Sequence, residues 1–575
     1  METRPSKHGR RRRRILLAVL PISLLAAFLL LIHHHHFPSR QAQLPHLHFH
    51  KHLAVANSAC DGTLYPDLCV STLLSFPDLT SKPLPTVIAA TLNLTGKEIR
   101  ASSANCTRLQ KSARVKSHLD QVAVADCLEL LDDSFSEIES AVADLGGNAT
   151  SISKNYNEMR TLLSAAITNQ YTCLDGFAYS KAKYLRDEIK TNLYNISRHV
   201  SNSLVLLKKV AGNGSSCGGG GAEEDGGRRF PSGFGEVGGD GFPSWLSRKD
   251  RRLLQAPVNG TRFDLVVAKD GTGNFTTITE AVAAAPNSSN TRFVIYIKSG
   301  AYFENVEVEK KKINLMFLGD GIGKTVVKAN RNVVDGWTTF RSATVAIVGN
   351  GFIAKGITIE NSAGPSKHQA VALRCSADLA AFHQCSFVGY QDTLYVHSLR
   401  QFYRDCDVYG TVDFVFGNAA AVLQNCNLYA RKPNPNQRNI FTAQGREDPN
   451  QNTGISIHNC KLAAAADLIP VKAQFRTYLG RPWKLYSRTV IMGSNIEDVV
   501  DPAGWLEWNG TFALDTLYYG EYRNVGGGSN TTRRVTWPGY RVINSSVEAG
   551  QFAVGPFIQG NEWLNSTGVP FSSGL

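Results

Sequence analysis

The hydrophobic pattern changes character once along the chain. In the first half, segments such as 126–145 place apolar residues at the helical spacing i, i+3, i+4 and i+7. In the second half, short runs of Val, Ile, Phe and Tyr alternate with polar residues, as in FVIYIKSG at 293–300. We therefore predict an all-α bundle over 55–210 and an all-β domain over 255–575.

Stretches of the β-rich region repeat one another. AAFHQCSFVGYQD spans 380–392, QFYRDCDVYGTVD spans 401–413, and a looser copy, AVLQNCNLYAR, spans 421–431. A period of about 20 residues is typical of a solenoid with one unit per coil, in which equivalent positions of stacked coils lie about 4.8 Å apart. Asp392 and Asp413 would then be neighbours, and one carboxyl would hold a proton while the other stays nucleophilic. An Asp ladder on a solvated turn is the alternative.

Two further segments carry targeting and processing signals. Five arginines at 10–14 precede mostly apolar residues at 15–32, which is typical of a signal peptide or a signal anchor. We favour an anchor because no small-residue cleavage site follows. Residues 211–254 form a Gly-rich linker ending in SRKDRRLL, where we predict that a processing protease cuts at Arg251 and Arg252.

Composition and charge fit a secreted protein. The formal charge is +13, but residues 255–575 hold 30 Lys and Arg against 25 Asp and Glu, a net of +5. Such a domain suits an acidic polymer, although a solvated surface explains the charge equally well. Sequons such as Asn93, and eleven cysteines, are compatible with a disulfide-bonded glycoprotein. We assign residues 1–54 to a cytoplasmic basic tail, the anchor and a His-rich stalk. The histidines of the stalk have no Cys or carboxylate partners at ligand spacing, so we predict no metal. We also predict no cofactor and no nucleic-acid partner.

The helical half resembles a known family of inhibitors. Its motifs CDGTLYPDLC, ADCLELLDD and CLDGF are similar to those of pectin methylesterase inhibitors. The resemblance implies a four-helix bundle with disulfides Cys60–Cys69 and Cys127–Cys173, and it leaves Cys106 as an extra thiol.

The β-rich half resembles plant pectin methylesterases. GAYFE, QAVALR, GYQDTLY, DFVFGN and LGRPW follow one another between residues 300 and 483, in the order and spacing of that family. The resemblance implies a right-handed parallel β-helix that hydrolyses methyl esters of cell-wall homogalacturonan and releases methanol. The whole chain is similar to the long form of the family, in which an inhibitor-like pro-region precedes the enzyme and either inhibits it or assists its folding.

The family resemblance assigns a role to each site residue. Asp413, kept ionised by Arg481, would attack the ester carbonyl, and Asp392 would protonate methanol and later accept a proton from water. Gln391 and Gln369 would stabilise the oxyanion. The predicted substrate contacts are Thr339, Gln369, Arg481, Trp483 and Trp505.

The remaining cysteines lead to one further disulfide prediction. Cys406 and Cys426 hold the same coil position 20 residues apart, and the family places a disulfide beside this site, so we predict that they are joined. We expect free buried thiols at Cys375, Cys385 and Cys460.

Two other functions stay open at this point. Paired carboxylates about 5 Å apart also suit a retaining polysaccharide hydrolase, and lyases share this architecture. A non-catalytic inhibitor or wall-binding protein is the third possibility. We expect a monomer whose precursor is anchored in the secretory membranes and whose mature form acts in the apoplast on methyl-esterified pectin. Its protein partners would be a processing protease and inhibitor proteins.

Overall fold

The helical region begins the part of the chain that the computed structural model describes, which comprises residues 44–112, 114–147, 149–213 and 262–575. Its helices are α1 (Leu44–Cys60), α2 (Pro66–Leu74), α3 (Leu84–Gln110), α4 (His118–Leu145), α5 (Ala149–Lys154), α6 (Tyr156–Asp175) and α7 (Lys183–Asn213). The four long helices α3, α4, α6 and α7 pack against one another around a shared apolar core. This arrangement confirms the predicted helical bundle.

Local sequence signals set the ends of α4. The Ser117 hydroxyl accepts a hydrogen bond from the backbone N–H of Asp120 at 3.0 Å and so caps the first turn, and Gly146 follows the last turn. Disulfides Cys60–Cys69 and Cys127–Cys173 are both present, and the second joins α4 to α6. Cys106 is a buried free thiol. These three cysteine predictions are confirmed.

The second half of the chain is a parallel β-helix of three sheets, as predicted. An eleven-stranded sheet contains β1 (Leu265–Val267), β2 (Phe293–Ile297), β5 (Leu315–Gly319), β8 (Ile353–Lys355), β11 (Ala380–His383), β14 (Arg400–Arg404), β17 (Ala420–Gln424), β20 (Gly454–His458), β23 (Arg488–Met492), β25 (Tyr518–Tyr522) and β26 (Tyr540–Val542). An eight-stranded sheet contains β3 (Gly300–Phe303), β6 (Thr325–Ala329), β9 (Thr358–Asn361), β12 (Ser386–Val388), β15 (Asp407–Gly410), β18 (Asn427–Ala430), β21 (Lys461–Ala464) and β24 (Asn495–Ile496).

The third sheet faces the bundle. Its seven strands are β4 (Val306–Val308), β7 (Val345–Ile347), β10 (Leu373–Cys375), β13 (Leu394–Val396), β16 (Val415–Gly417), β19 (Asn439–Gln444) and β22 (Thr477–Gly480). Outward-facing residues of this sheet, including Tyr395 and Phe416, pack in one apolar cluster with α4 and α6. The bundle therefore lies directly on this face of the β-helix.

Short helices lie at both ends of the coils. Helix α8 (Ile278–Ala284) packs its apolar side into the β-helix core at the first coils. At the other end the chain forms α9 (Ser546–Gly550), α10 (Val554–Ile558) and α11 (Gly560–Thr567). They cover apolar residues on the outer face of the eleven-stranded sheet. That face needs burial, which the local sequence pattern does not indicate.

The predicted Cys406–Cys426 disulfide is wrong, although the coil register behind it is right. Asp407 pairs with Asn427 in the ladder, so the two cysteines do hold matching positions, yet both are buried free thiols. Side chains at matching positions of parallel strands point the same way, about one strand spacing of 4.8 Å apart, whereas a disulfide needs Cβ atoms that converge to about 3.8 Å. Cys375, Cys385 and Cys460 are free and buried, as predicted.

Three predictions fall outside the described residues. They are the apolar segment 15–32, the processing residues Arg251 and Arg252, and the predicted linker 211–254 from residue 214 onward, while residues 211–213 belong to α7. Among the residues that the structure does describe, no helix is long and apolar enough to span a membrane.

Candidate active site

The two repeat carboxylates lie on neighbouring coils at the edge of the seven-stranded sheet. Asp392 and Asp413 stand two residues before β13 and β16, whose residues Leu394 and Val415 are paired in the ladder. The backbone of both acids is left-handed, with φ of 63° and 52°, a conformation that Asp adopts more readily than most residues. Both side chains are buried. The predicted stacking of the two acids is therefore confirmed.

Only one of the two acids has a cationic partner. The Arg481 guanidinium donates from Nε to Asp413 Oδ1 at 2.8 Å and from a terminal nitrogen to Oδ2 at 2.7 Å, a bidentate ion pair. Arg481 follows β22 directly, so the strand fixes its position. In the described part of the chain, Asp392 takes part in no ion pair.

The surroundings of the two carboxyl groups act differently on their pKa values. Burial raises the pKa of Asp392 well above its usual range, and the charge of Asp413 raises it further against the opposing effect of Arg481. Burial also raises the pKa of Asp413, but the Coulombic attraction and hydrogen bonds of Arg481 act in the opposite direction. These surroundings favour the proton on Asp392 and the negative charge on Asp413.

A cavity of about 380 Å³ opens over this pair. Gln369, Gln391, Thr339 and Trp483 line it together with Asp392, Asp413 and Arg481, so the structure gathers all but one of the predicted catalytic and substrate-contacting residues in one place. The close approach of the coils requires Gly417, whose φ is 126° and whose missing Cβ would lie 2.1 Å from the Val396 carbonyl oxygen.

Trp505 is the predicted substrate contact that does not reach the cavity. It is 1% exposed, stacks on Tyr519 with ring centres 4.2 Å apart, and donates its indole N–H to Glu521 at 3.2 Å. Its backbone forms a bridge with Gly480, which places the ring in the core. Trp508, three residues later, is 37% exposed and lines the cavity, with the Arg481 guanidinium carbon 4.4 Å from its ring centre.

Sequence analysis missed several lining residues. Trp508 is in the same WLEW motif, but the motif alone does not say which of its two rings faces out. Phe340, Tyr395 and Phe416 also line the cavity. For Tyr395 and Phe416 the sequence offers only their outward position in the strand alternation as a signal, and for Phe340, which lies in a 3-10 turn, it offers none.

The bundle supplies the remaining wall of the cavity. Thr172, Asp175, Gly176 and Ala178 lie at the end of α6 and in the turn after it, and Tyr179 follows them. The Tyr179 hydroxyl accepts a hydrogen bond from the Gln369 side-chain amide, while the Gln369 Oε1 is buried without a hydrogen-bond partner. The loop after α6 therefore stands over the paired acids.

Comparisons with known proteins identify both halves of the chain. The family model described as pectinesterase matches residues 264–561, and the model described as plant invertase/pectin methylesterase inhibitor matches residues 54–206. The chain belongs to the pectinesterase family. Pectinesterases are carboxylic ester hydrolases, and this enzyme class fits a cavity that holds two buried carboxyl groups and two side-chain amides.

Relatives and one solved structure agree with this assignment. Pectinesterase 2 of Arabidopsis thaliana is 51% identical over 91% of this chain and 90% of its own length. Pectinesterase 3 of Citrus sinensis is 50% identical over 91% of this chain and 89% of its own length. The structure of pectin methylesterase from carrot is 60% identical, covers 55% of this chain and 98% of its own, and superposes with a TM-score of 0.54.

Proposed function

We propose that the β-helix hydrolyses the methyl esters of cell-wall homogalacturonan, with Asp413 as nucleophile and Asp392 as acid and base. The observation that carries the proposal is the asymmetry of the buried pair. Asp413 is held by two hydrogen bonds from Arg481, whereas the pKa of Asp392 is raised well above its usual range by burial. A nucleophile and a proton donor therefore stand one coil apart.

The first half of the reaction forms an acyl-enzyme. An Asp413 carboxylate oxygen attacks the ester carbonyl carbon, and the carbonyl electron pair moves to the oxygen, which the amide groups of Gln369 and Gln391 stabilise. The bond to the methoxy group then breaks as the Asp392 proton transfers to the departing oxygen. Methanol leaves, and a mixed anhydride joins Asp413 to the galacturonate carboxyl group.

The second half restores both acids. Asp392, now ionised, takes a proton from a water molecule as its oxygen attacks the acyl carbon. The bond between that carbon and the Asp413 oxygen breaks, which releases a free galacturonic acid and regenerates the Asp413 carboxylate beside Arg481. One water is consumed and one methanol is released for each ester.

Aromatic residues at the cavity mouth would bind the sugar rings. Trp483, Trp508 and Thr339 all line the cavity. Flat indole faces stack on the apolar faces of sugars and exclude water from them. This support concerns a saccharide substrate, and it adds to the family assignment.

The bundle in this proposal is an autoinhibitory pro-region. Tyr179 engages Gln369, and the end of α6 lines the same cavity that the substrate ester must enter. A polymer strand cannot occupy this space while the bundle is in place. The enzyme would therefore act after the bundle has been removed.

A methanol-release assay tests the function. We expect residues 255–575 to release methanol from methyl-esterified pectin, and the full-length chain to release at least about tenfold less because its cavity is covered. New reducing ends or unsaturated products without methanol would contradict the esterase proposal. Equal activity of both forms would contradict autoinhibition.

Processing within the linker would deliver the mature enzyme to the wall. Arg251 and Arg252 precede the first β-strand, and we propose cleavage there in the secretory pathway, with an anchored precursor and an apoplastic monomeric product. Replacing both residues with Ser should keep the protein at full length in secretory membranes. Normal appearance of the short form in the wall would place the cleavage elsewhere.

A further inference from the structure

Three cations form a strip beside the catalytic cavity on the bundle-facing side of the β-helix. Arg374 lies on β10, where it pairs with Tyr395 of β13 on one side and Ala346 of β7 on the other. Arg341 precedes β7, and Lys310 follows β4. We call Lys310, Arg341 and Arg374 the basic strip.

The basic strip adjoins the cavity directly. Phe340 lines the cavity, and the Arg374 guanidinium carbon lies 3.5 Å from the centre of the Phe340 ring. Tyr395, the ladder partner of Arg374, lines the cavity as well. A polymer lying across the stacked coils of this sheet would therefore pass from the paired acids over the basic strip.

One face of α4 supplies carboxylates to the basic strip. Asp126 accepts from Arg341 Nε at 2.7 Å, and Asp133 accepts from Lys310 Nζ at 2.8 Å. Glu129 lies between them, accepts from Arg341, and stands 3.7 Å from Arg374. The spacing 126, 129 and 133 places all three acids on one side of a helix. Helix α4 contains eight acidic residues and no Lys or Arg.

The fit between α4 and Arg374 is incomplete. Arg374 is 1% exposed, yet its Nε and the facing Glu129 Oε1 are both buried without a hydrogen-bond partner. Its own domain holds the guanidinium by stacking on Phe340 and by a 3.1 Å hydrogen bond to Ser376. Among the described residues, Glu129 of the bundle is its one ion-pair partner. An orientated, buried guanidinium with an unmet donor is suited to a second, better-placed carboxylate.

We propose that the basic strip binds the free carboxylates of de-esterified galacturonate units, and that α4 occupies it with substitute carboxylates. This rests on the proposed function, because the reaction converts neutral methyl esters into carboxylates next to the strip. Arg and Lys distinguish the two forms by charge and by the hydrogen bonds that a carboxylate accepts. The reaction product then competes with the bundle for the same cations.

Competition can be measured in the full chain after one cut. A site-specific protease sequence is inserted between residues 214 and 261 and cleaved, which leaves both parts in one sample. Bundle dissociation is followed by sedimentation in the Asp392→Asn background, in which the ester persists, while unesterified or fully methyl-esterified hexagalacturonate is added. We expect the unesterified oligomer to weaken bundle association at least about tenfold more than the ester does.

Variants assign the effect to the basic strip. The quantity compared is the ratio of the weakening of bundle association by the unesterified oligomer to that by the esterified oligomer. Arg374→Gln, and independently Lys310→Gln, should reduce this ratio at least about threefold, and Arg374→Lys should have an intermediate effect. Glu129→Gln should weaken the bundle but keep the ratio, since it leaves the cations intact. Lys461→Gln is the matched control, because Lys461 pairs with Glu497 on the eight-stranded sheet. Circular dichroism checks that each variant is folded.

Three results would overturn the inference. The first is that the two oligomers weaken bundle association equally. The second is that both strip variants leave the ratio unchanged. The third is that polyglutamate weakens bundle association as much as unesterified hexagalacturonate does, in the unsubstituted chain and in the variants alike. Methanol release from esterified pectin, measured in parallel samples that keep Asp392, reports on the esterase separately. Released bundle without methanol would contradict the proposed function, whichever competition result is found.

Discussion

The bundle and the β-helix both bury carboxylates at their common boundary, but they satisfy them differently. Asp413 of the β-helix pairs with Arg481 of its own domain. Asp126 of the bundle accepts hydrogen bonds from Thr338 and Arg341, which both belong to the β-helix. The pair in the β-helix is therefore complete without the bundle, whereas the bundle's acid is satisfied only in the docked state.

This difference indicates which half depends on the other. Removing the bundle leaves Asp413 and Arg481 intact and gives water access to the cavity. Removing the β-helix leaves Asp126 without its cationic partner, and its carboxylate would have to find water. The ion pair of the enzyme half is therefore preorganised, whereas Asp126 of the bundle finds its partners only when the bundle is docked.

Removal of the Asp413 charge should have the largest effect on the enzyme half. In residues 255–575, Asp413→Asn should lower kcat for methanol release on the order of 10⁴-fold, because an amide cannot serve as the nucleophile. Asp392→Asn should have an effect of similar size through loss of the proton donor. Methanol is quantified at saturating pectin.

A matched variant controls for folding. Asp407 lies on β15 of another sheet, where it accepts a hydrogen bond from Asn427 at 2.8 Å. Asp407→Asn removes the same charge and should leave methanol release within about twofold of wild type. Substantial activity in Asp413→Asn would rule out the covalent mechanism.

Loss of the disulfide between α4 and α6 should affect only the bundle. Cys127 and Cys173 close a loop with a sequence separation of 46, and its loss destabilises the bundle by about 4 kcal/mol on chain entropy. We expect the double Ala variant to lower the first melting transition of the full chain and to leave the β-helix transition unchanged. Calorimetry separates the two.

The two native disulfides provide a scale for that result. Cys60 and Cys69 are separated by 9 residues, so the same model gives only about 2.5 kcal/mol for their bond. A larger loss from the short loop than from the long one would contradict the entropic account. A fall in the β-helix transition would show that the two halves do not melt independently.

The parts of the fold that follow local pattern were accessible from sequence. The repeat around Cys385 and Cys406 gives the coil register, and that register alone places Asp392 beside Asp413. Helical spacing gives the bundle, and the motif resemblance gives its two disulfides. These predictions depend on periodicity or on short, specific motifs, which a single sequence contains.

The parts that depend on side-chain direction or on distant packing were not accessible. Cys406 and Cys426 share a coil position, but sequence does not show that their sulfurs point in parallel. WLEW does not show that Trp505 points into the core and Trp508 outward. The docking of α4 on Arg341 joins residues more than 200 positions apart, and no local signal records it.

Acid pH should hold the bundle in place. Burial raises the pKa of Asp126 to about 6, with Arg341 and Thr338 acting against it and Glu129 adding to it. Docking of the bundle is therefore accompanied by protonation of Asp126. The contribution of this protonation to docking is complete below the ordinary Asp pKa of 3.8 and is lost as pH rises through about 6. Burial raises the pKa of Glu137 in the same direction.

One group at the boundary acts with the opposite sign. Burial lowers the pKa of His397 well below its ordinary value of 6.5, so its contribution is present above that value and declines as pH falls. More groups at the boundary act in the direction of Asp126 than in that of His397, because burial also raises the pKa of Asp133 and Glu158. We expect the cut chain to bind its bundle about tenfold more tightly at pH 5 than at pH 7.5.

Substitution of one buried acid tests the origin of the pH effect. Asp126→Asn removes one of the titrating groups and should reduce the pH dependence of bundle dissociation, measured by sedimentation. Asp187→Asn is the control, because Asp187 is exposed on α7 and pairs with Lys190 of the same helix. Tighter binding at pH 7.5 than at pH 5 would contradict the assignment of the boundary carboxyls.

The smallest expected effect separates the two indoles of one motif. Trp508→Ala in residues 255–575 should raise KM for pectin about fivefold and leave the melting temperature nearly unchanged, because a half-exposed ring contributes about 1 kcal/mol of stacking to a bound sugar. Trp505→Phe should do the reverse. It removes the indole N–H donor to Glu521 and part of a buried stack on Tyr519, which should lower the melting temperature by several degrees with KM close to wild type. A rise in KM with Trp505→Phe alone would mean that the core side of the motif shapes the cavity.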